Sequence, residues 1–490
     1  MESNEAAIHR LVDDILAYIF FLNATVLDPD GREHATTVAS SQVCMRWRTI
    51  ALNCHAIWGP ITDYSRHSLK WIETLLDRSH SSPLDFGSRI APINTVYLKD
   101  GGQGVLELVF NHIDRLRTFN LEFPESCWDL MCSRFLQLPA PHLEFVRIFI
   151  IIFSGSRRTR AAKGAAQLTH PLFHHHAPNL QNLQLRRCIV DFTSSILTHL
   201  TELDVRDIAH SGAVFTVLDW LNILGGMPSL RWVSLIRSIS SSMTNITYSI
   251  IQLAALEMLS LENGFRENVT MIEHLIAPPR CGLRLDCWDV DLFDQRKLWA
   301  IIEKKMDSWA NNAPNRFLEV WSTQASLCFG NLLGGLNLSW VTEAEVIHHK
   351  QHIHLLDPLM TVKLYFHNPQ DTVNSILSLF ANFERTFFDT THLKMCIDVE
   401  PDSGSEMFIP LVDMFRGFVN LKELYLGFNS FMLLFLPLLQ RSLPNSVFLP
   451  ALQSLDFYNA NSDSLPRVAE FLRWRGEQGF PVQKVQVVNS

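Results

Sequence analysis

Histidine and cysteine are the residues of this chain whose types and spacing could do chemistry, because both bind metal ions. Two histidine runs are dense enough to suggest such a site, His174–His176 and His348–His354. Neither run is paired with cysteines at zinc-ligand spacing or forms an HExxH motif, so we interpret both as loop histidines. Cys188 ends the leucine-rich stretch "LQLRRC", where a small side chain packs into a core. We therefore expect no metal site and no cofactor.

Motifs that position a nucleophile or a phosphate group are also missing from the sequence. It contains no P-loop, no GxSxG elbow and no GxGxxG turn. Gly101, Gly102 and Gly104 share one turn, but no Lys-Ser or Lys-Thr pair follows them. Asp and Glu residues are plentiful, but a single sequence does not show which of them lie close together in space. They therefore do not support the pair of carboxylates that a glycosidase needs. We expect no catalytic residues, and we expect that the protein is not an enzyme.

The composition is that of a globular protein, with 47% hydrophobic and 19% charged residues. A net charge of −9 argues against a general nucleic-acid-binding surface. The one basic cluster, Ser156–Gly164, is interpreted as a solvated loop, with a nuclear-import signal as the minority alternative. Nine scattered cysteines without a CxxC pair favour a reducing compartment.

Targeting and membrane segments are not expected from this sequence. Its start, "MESNEAAIHR", lacks the apolar core of a signal peptide. The longest apolar runs, Phe145–Phe153 and Phe431–Gln440, are about half of the ~20 residues that span a bilayer. We expect a soluble protein of the cytoplasm, the nucleus or both, with neither a membrane nor a nucleic acid as partner.

The first element that the sequence predicts is a helix with a continuous apolar stripe. The apolar residues that recur there at helical spacing are Ile8, Leu11, Val12, Ile15, Leu16, Ile19 and Phe20. A second helix is predicted from about Thr36, after the turn "LDPDGREH". Its apolar side carries Ala39, Val43, Trp47 and Ile50. Trp58 then anchors a short third segment. A unit below ~70 residues has a marginal core, so these helices should lean on a partner, on the following domain, or on both.

These residues resemble the F-box family. The resemblance is carried by "LVDDIL" (Leu11–Leu16) with Ile19 and Phe20, by "SQVCMRWRTIAL", and by "AIW" ending at Trp58. The segment Leu75–Phe86 is similar to the one that follows the F-box in a large fungal family of F-box-like proteins. Together these matches cover about residues 8–86. One departure is Val12, which stands where the family usually has proline.

The rest of the chain shows a recurring L-x-x-L-x-L hexad. Its ten instances are Leu116–Leu121, Leu143–Ile148, Leu180–Leu185, Leu200–Val205, Leu230–Leu235, Leu256–Leu261, Leu359–Leu364, Leu421–Leu426, Leu452–Phe457 and Val482–Val487. Such spacing is typical of leucine-rich repeats, in which each hexad forms a short strand and the strands stack side by side. Residues 265–345 match poorly, so the number of repeats there stays open.

We therefore predict an α/β repeat solenoid with a curved parallel sheet, preceded by a small all-α F-box-like module. The predicted domains are the F-box-like module at 1–62, a connecting helix and linker at 63–90, and an irregular leucine-rich repeat domain at 91–490.

The resemblance implies a substrate-receptor subunit of a Skp–cullin–F-box ubiquitin ligase, which takes part in the ubiquitin-like conjugation pathway without catalysing it. In that scheme the module binds the Skp adaptor and, through it, cullin, while the repeats bind an unidentified target protein. The alternative is a repeat scaffold outside ubiquitin transfer. Ten residues are predicted to divide between module core and adaptor contact: Leu11, Val12, Ile15, Leu16, Ile19, Phe20, Val43, Cys44, Trp47 and Trp58.

A target-binding site is predicted on the strands. The hexad leucines should point into the core, and the residues between them should lie on the exposed strand face. The candidates on that face are Trp232, Lys363, Tyr365, Tyr425, Asp456 and Tyr458, and its three tyrosines should form one patch near the carboxyl end. The alternative is that these aromatic residues only cover the sheet.

Overall fold

The structure is a computed structural model that describes the chain in segments. The described residues are 10–25, 33–61, 68–87, 103–151, 166–167, 172–209, 215–241, 247–278, 281–288, 316–323, 326–332, 360–365, 390–397, 418–427, 448–458 and 465–488. In the strands between 316 and 397, only the backbone is described.

Contacts divide the chain into two compact units. Of the described residues, unit 1 holds those up to Phe215 together with Asn222–Trp232. Unit 2 holds Thr216–Leu221 and those from Val233 onward. Unit 1 contains both the amino-terminal helices and the first strands of the sheet, and the predicted domain boundaries stay predictions.

The helices of unit 1 are short. They are α1 Asp13–Thr25, α2 Glu33–Ser40, α3 Met45–Asn53, α4 Leu69–Ser79, α5 Gln103–Phe110 and α6 Trp128–Leu130, with a 3₁₀ turn at His55–Trp58. The prediction of one helix from Thr36 through Ile50 is wrong, because Cys44 is extended (φ −157°, ψ 170°) and separates α2 from α3. The predicted third segment at Trp58 is the 3₁₀ turn.

The strands of unit 1 build a parallel sheet. In chain order they are β1 Pro60–Ile61, β2 Leu84–Phe86, β3 Leu116–Pro124, β4 Phe145–Ile151, β5 Ala166–Gln167, β6 Asn182–Arg186, β7 Cys188–Ile189 and β8 Glu202–Arg206. The sheet runs β1-β2-β3-β4-β6-β8, with every pair parallel, while β5 and β7 form a separate pair.

Aromatic rings fill the core between this sheet and its helices. Phe119 of β3 lies 4.1 Å from Phe135, between ring centroids, and Phe135 lies 5.1 Å from Phe110 of α5. Phe173 meets Phe135 edge-on at 5.5 Å. All four rings are buried, and such contacts stabilise a core beyond the area that they bury.

The connection between α4 and β3 depends on one buried arginine. Ser68 caps the start of α4 by accepting a hydrogen bond from the Trp71 amide at 3.3 Å. At the other end, Arg115 donates to the Leu76 carbonyl at 3.1 Å and to the Ser79 hydroxyl at 3.0 Å. These bonds satisfy groups that the last turn of a helix leaves without partners.

Unit 2 continues with a second set of strands. After α7 Val217–Gly225, which crosses the boundary in sequence, the elements are β9 Trp232–Ile236, β10 Ile251–Gln252, β11 Met258–Gly264, α8 Phe265–Glu273, β12 Leu275–Ile276, β13 Gly282–Trp288, β14 Arg316–Thr323, β15 Ser326–Leu332, β16 Met360–Tyr365, β17 Thr390–Ile397, β18 Glu423–Gly427, β19 Ser454–Tyr458, α9 Leu465–Glu477 and β20 Lys484–Val488. The order in the sheet is β9-β11-β13-β16-β15-β14-β17-β18-β19-β20, and β10 pairs with β12.

In eight of the ten hexads the apolar positions lie in the core, as predicted. The side chains of Leu359–Leu364 are not described, and in the last hexad Val485 is 38% exposed. Leu183 and Leu185 of β6, Leu203 and Val205 of β8, Val233 and Leu235 of β9, Leu424 and Leu426 of β18, and Leu455 and Phe457 of β19 are all buried. Alternate positions along each of these strands therefore face the interior. The prediction of an α/β fold built on a large parallel sheet is confirmed.

The poorly matching stretch 265–345 departs from that parallel arrangement. β15 runs antiparallel to both of its neighbours, β14 and β16. Only two residues separate β14 from β15 in the sequence, and a connection that short joins antiparallel strands, since parallel neighbours need a crossover of a dozen residues or more. The parallel sheet that the sequence predicts is therefore interrupted at this hairpin, in the stretch where the number of repeats was left open.

Three strands end in the same unusual backbone conformation. Arg187, Asp207 and Arg237 follow β6, β8 and β9 directly, and their φ angles are 59°, 59° and 48°. Residues with a side chain rarely adopt this left-handed region. The same left-handed φ therefore recurs at the residue directly after each of these three strands.

Candidate partner-binding face of the first three helices

One side of α1 packs into the protein. Leu16, Phe20 and Ala24, spaced four residues apart, are 0%, 2% and 5% exposed. The Phe20 ring lies 5.1 Å from the Trp47 ring of α3, between centroids. This spacing puts the three residues on one stripe, which is the core side of the helix.

The opposite side of α1 is also apolar, but it is exposed. Ile15, Tyr18, Phe21 and Leu22 are 46%, 59%, 39% and 40% exposed. A surface helix normally presents charged and polar residues on its outer side, and a helix that is apolar all round is normally buried all round. The outer side of α1 therefore has the composition of an interface.

The start of α3 extends this apolar surface. Arg46 donates to the Asp13 carboxylate at 2.7 Å and also to the Leu11 carbonyl, so the first turns of α1 and α3 lie side by side. The residues there that stay exposed are Val12, Val43 and Met45, at 63%, 60% and 83%. We call Val12, Ile15, Tyr18, Phe21, Leu22, Val43 and Met45 the helical face.

The two predicted tryptophans have different surroundings. Trp58 is fully buried and donates its Nε1–H to the Ala51 carbonyl at 2.8 Å, with the Arg78 guanidinium 4.6 Å from its ring centroid. Trp47 is only partly buried, and its Nε1 finds no hydrogen-bond partner within the described part of the chain. Trp58 thus stabilises the helices from inside, while part of Trp47 reaches the surface.

The structure divides the ten predicted adaptor-binding residues between core and surface. Val12, Ile15 and Val43 belong to the helical face. Leu11, Ile19, Cys44 and Trp47 are partly exposed at its border. Leu16, Phe20 and Trp58 lie in the core, where no partner can contact them without a rearrangement of the helices.

Four residues of the helical face were missed by the sequence analysis: Tyr18, Phe21, Leu22 and Met45. The sequence does indicate Tyr18, Phe21 and Leu22, because the run "AYIFFL" makes α1 apolar on almost every side after its first turn. For Met45 no such signal exists, because its exposure follows from the break between α2 and α3.

The predicted target-binding residues are more buried than expected where their side chains are described. Asp456 is 8% exposed, so its placement on an open strand face is wrong. Burial raises the pKa of its carboxyl group, and the charge of Lys484 partly opposes that shift. Trp232 is partly exposed. Neighbouring strands lie only ~4.8 Å apart, so long side chains on one strand cover shorter ones on the next.

Two of the three candidate tyrosines, Tyr425 and Tyr458, lie on the neighbouring strands β18 and β19, but Tyr365 lies on a distant strand. Four strand spacings separate β16, which contains Tyr365 and Lys363, from β18, which contains Tyr425; at ~4.8 Å each, this amounts to ~19 Å. Tyr425 is in register with Asp456, and Tyr458 with Gly427. The side chains of Lys363 and the three tyrosines lie outside the described residues, so their role in target binding stays a prediction.

The sequence predicts that the histidine runs lie in loops and that Cys188 packs in the core. His174, His175 and His176 are exposed, and the segment 348–354 lies outside the described residues. Within the described segments, no group of three or more His, Cys, Asp or Glu side chains is placed to hold a metal ion. Cys188 is fully buried, and its burial raises the pKa of its thiol, which fits packing rather than reactivity.

We expect chelation to leave the stability unchanged. A structural metal contributes directly to folding, so its removal would lower the melting temperature. The measurement is a thermal melt of the purified chain with and without EDTA. A clear fall in melting temperature with EDTA would contradict the expectation.

Among the described residues, no helix has the length and the apolar content to cross a membrane. No protein-family model matches the chain, and no curated protein matches its sequence.

Proposed function

We propose that this chain is the substrate-receptor subunit of a Skp–cullin–F-box ubiquitin ligase. The observation that carries the proposal is the helical face, an apolar surface on a helix that is already apolar on its core side. Exposed apolar side chains gathered on one surface mark a site of protein association. In this proposal the Skp adaptor covers the helical face, and cullin joins through the adaptor.

The resemblance to the F-box family supports the choice of partner. Val12, Ile15 and Val43 belong to the segments that carry the resemblance, and all three are exposed on the helical face. Trp58, which also belongs to those segments, is buried in the core of the helices. The apolar surface and the family-like residues therefore overlap at three positions.

The remainder of the chain is proposed to be a leucine-rich repeat solenoid that holds the target protein. Three observations support this: the ten hexads, the burial of alternate residues in eight of them, and the left-handed residues that follow β6, β8 and β9. Repeats that turn alike stack side by side and offer an extended surface for binding. The hairpin of β14 and β15 would then be an insertion between repeats. In this proposal the complex works in the cytoplasm, the nucleus or both.

The test is co-precipitation of the Skp adaptor with variants of the helical face. We expect Ile15→Asp and Val43→Asp each to reduce adaptor recovery at least tenfold, because each places a charge in a desolvated apolar contact. Leu16→Asp is a poorer test, since Leu16 is fully buried and its replacement would disrupt the module itself. Ile250→Asp is the matched control, because Ile250 is 65% exposed and lies in unit 2.

Two results would count against the proposal. Equal adaptor recovery from wild type and both helical-face variants would remove the F-box assignment. Recovery of the adaptor without cullin would instead favour the alternative, a repeat scaffold outside ubiquitin transfer. Melting curves of the variants must match that of the wild type, so that loss of binding is not loss of fold.

A further inference from the structure

An arginine on the sheet of unit 1 combines burial with an unsatisfied donor. Arg147 lies on β4, on the side opposite the core residues Val146 and Ile148. Its Nε is buried, and no described residue accepts a hydrogen bond from it. A buried polar group without a partner is costly, and a guanidinium more so because it is charged.

The guanidinium of Arg147 is held in place by an aromatic ring. Its central carbon lies 4.2 Å from the centroid of the Phe149 ring, two residues along the same strand. Phe149 is 3% exposed, and Arg206 of β8 approaches the same ring at 6.0 Å. An arginine stacked on a ring keeps the planar edge of its fork free for a ligand.

The neighbouring arginines already have carboxylate partners. Arg206 donates from Nε to Asp204 at 2.8 Å, and Arg186 donates from Nε to Asp207 at 2.8 Å. Strand register places Gln184 beside Arg147, and Arg186 beside Phe149. Arg147 is therefore flanked by arginines whose charges are compensated, while its own Nε is not used.

The charges around Arg147 partly oppose one another. Burial lowers the pKa of Arg147 most, while the charges of Glu122 and Asp204 raise it and those of Arg206 and Arg186 lower it. The Arg147 cation has therefore lost contact with water, and the nearby negative charges do not fully compensate for that loss. An anion that accepted hydrogen bonds from this guanidinium would replace the hydrogen bonds to water that burial removed.

We propose that Arg147, stacked on Phe149 and flanked by Arg186 and Arg206, binds an anionic oxygen group of a target protein, either a side-chain carboxylate or a phosphoryl group. A planar guanidinium fork matches both groups with two parallel hydrogen bonds. The inference rests on the proposed function, since it places target recognition in unit 1. It also differs from the predicted patch of three tyrosines, which was placed near the carboxyl end.

The experiment uses the immobilised full chain and three pools of nine-residue peptides. The pools have random flanks and a fixed central residue, which is phosphoserine, glutamate or serine. We expect the phosphoserine pool, the glutamate pool or both to be retained at least tenfold more than the serine pool. Enrichment of phosphoserine alone identifies a phosphoryl site, and enrichment of both identifies a general anion site.

Variants assign the retention to Arg147. Arg147→Gln should reduce retention of the acidic pools to the level of the serine pool. Arg147→Lys keeps the positive charge but loses the planar guanidinium fork, so it should reduce retention of the acidic pools severalfold. If the Arg147→Gln variant does not fold, the result with Arg147→Lys tests the assignment to this residue. Arg134→Gln is the control, because Arg134 is exposed in the helical segment after α6.

Equal retention of all three pools by the wild type would overturn the proposal, whatever the variants do. Unchanged enrichment in both Arg147 variants would overturn the assignment to this residue. The adaptor takes no part in this assay, so failure here leaves the helical face untouched. Conversely, loss of the F-box assignment would not alter peptide retention.

Discussion

Replacing Trp58 by alanine is expected to unfold the first helices locally, at a cost of ~3–5 kcal/mol. The side chain is fully buried in the core. Its indole N–H donates a hydrogen bond to the Ala51 carbonyl, and the Arg78 guanidinium lies over its ring. Truncation leaves a cavity and an unsatisfied carbonyl, and it removes the nearer of the two tryptophan rings that the Arg78 guanidinium contacts. The measurement is amide hydrogen exchange over residues 45–61, where protection should fall about a hundredfold or more.

The matched variant Trp58→Phe separates the core role from a contact role. It keeps most of the ring and loses the hydrogen bond, so we expect a cost of ~1–2 kcal/mol and intact adaptor binding. Unchanged protection in Trp58→Ala would show that the residue does not support the module. Lost adaptor binding in a fully protected Trp58→Phe would instead make Trp58 a contact residue.

The second large effect is expected at Asn263, whose amide group makes four buried hydrogen bonds. Its oxygen accepts from the Ser238 and Ile239 amides at 2.9 and 3.1 Å, and its nitrogen donates to the Leu235 carbonyl at 2.8 Å and to Asn268 at 3.2 Å. Asn263→Ala leaves these partners unsatisfied, so we expect a loss of ~3 kcal/mol or more. Hydrogen exchange over residues 232–241 is the readout.

Asn263→Asp sharpens this test because it keeps the shape. The carboxylate can still accept from the two amides, but it cannot donate to Leu235, and it buries a charge. Both variants should therefore lose protection, while the exposed Asn222→Ala should stay within about 0.5 kcal/mol of the wild type. Full protection in Asn263→Asp would mean that the donated bonds contribute little.

The side of each strand that faces the core could be predicted from the sequence. Alternation of leucines in a hexad leaves one side of the strand apolar, and burial of that side follows directly, as at Leu183 and Leu185. The strand order around β14 and β15 could not be predicted, because partners in a sheet depend on long-range pairing that the pattern does not encode. Asp456 shows the same limit, since alternation assigns a side of the sheet but not what neighbouring strands cover.

The candidate site was predicted in part. Periodicity identified the apolar residues of α1, and the resemblance selected Val12, Ile15 and Val43, which are exposed. Neither the periodicity nor the resemblance could distinguish these exposed residues from the buried Leu16 and Phe20. A helix that is apolar on both sides gives no signal for which side faces the interior. That choice is made by tertiary packing, here by Trp47 against Phe20.

If a partner covers the helical face as proposed, the two-sided apolar character of α1 would also link the abundance of this protein to the supply of that partner. A partner that binds only the folded chain stabilises it by mass action, by ~2.7 kcal/mol when present at a hundred times its dissociation constant. Chains made in excess of that partner leave the face open to water, and the fraction unfolded is then larger. Cellular quality control removes unfolded chains, so the level of the protein would follow the level of its partner.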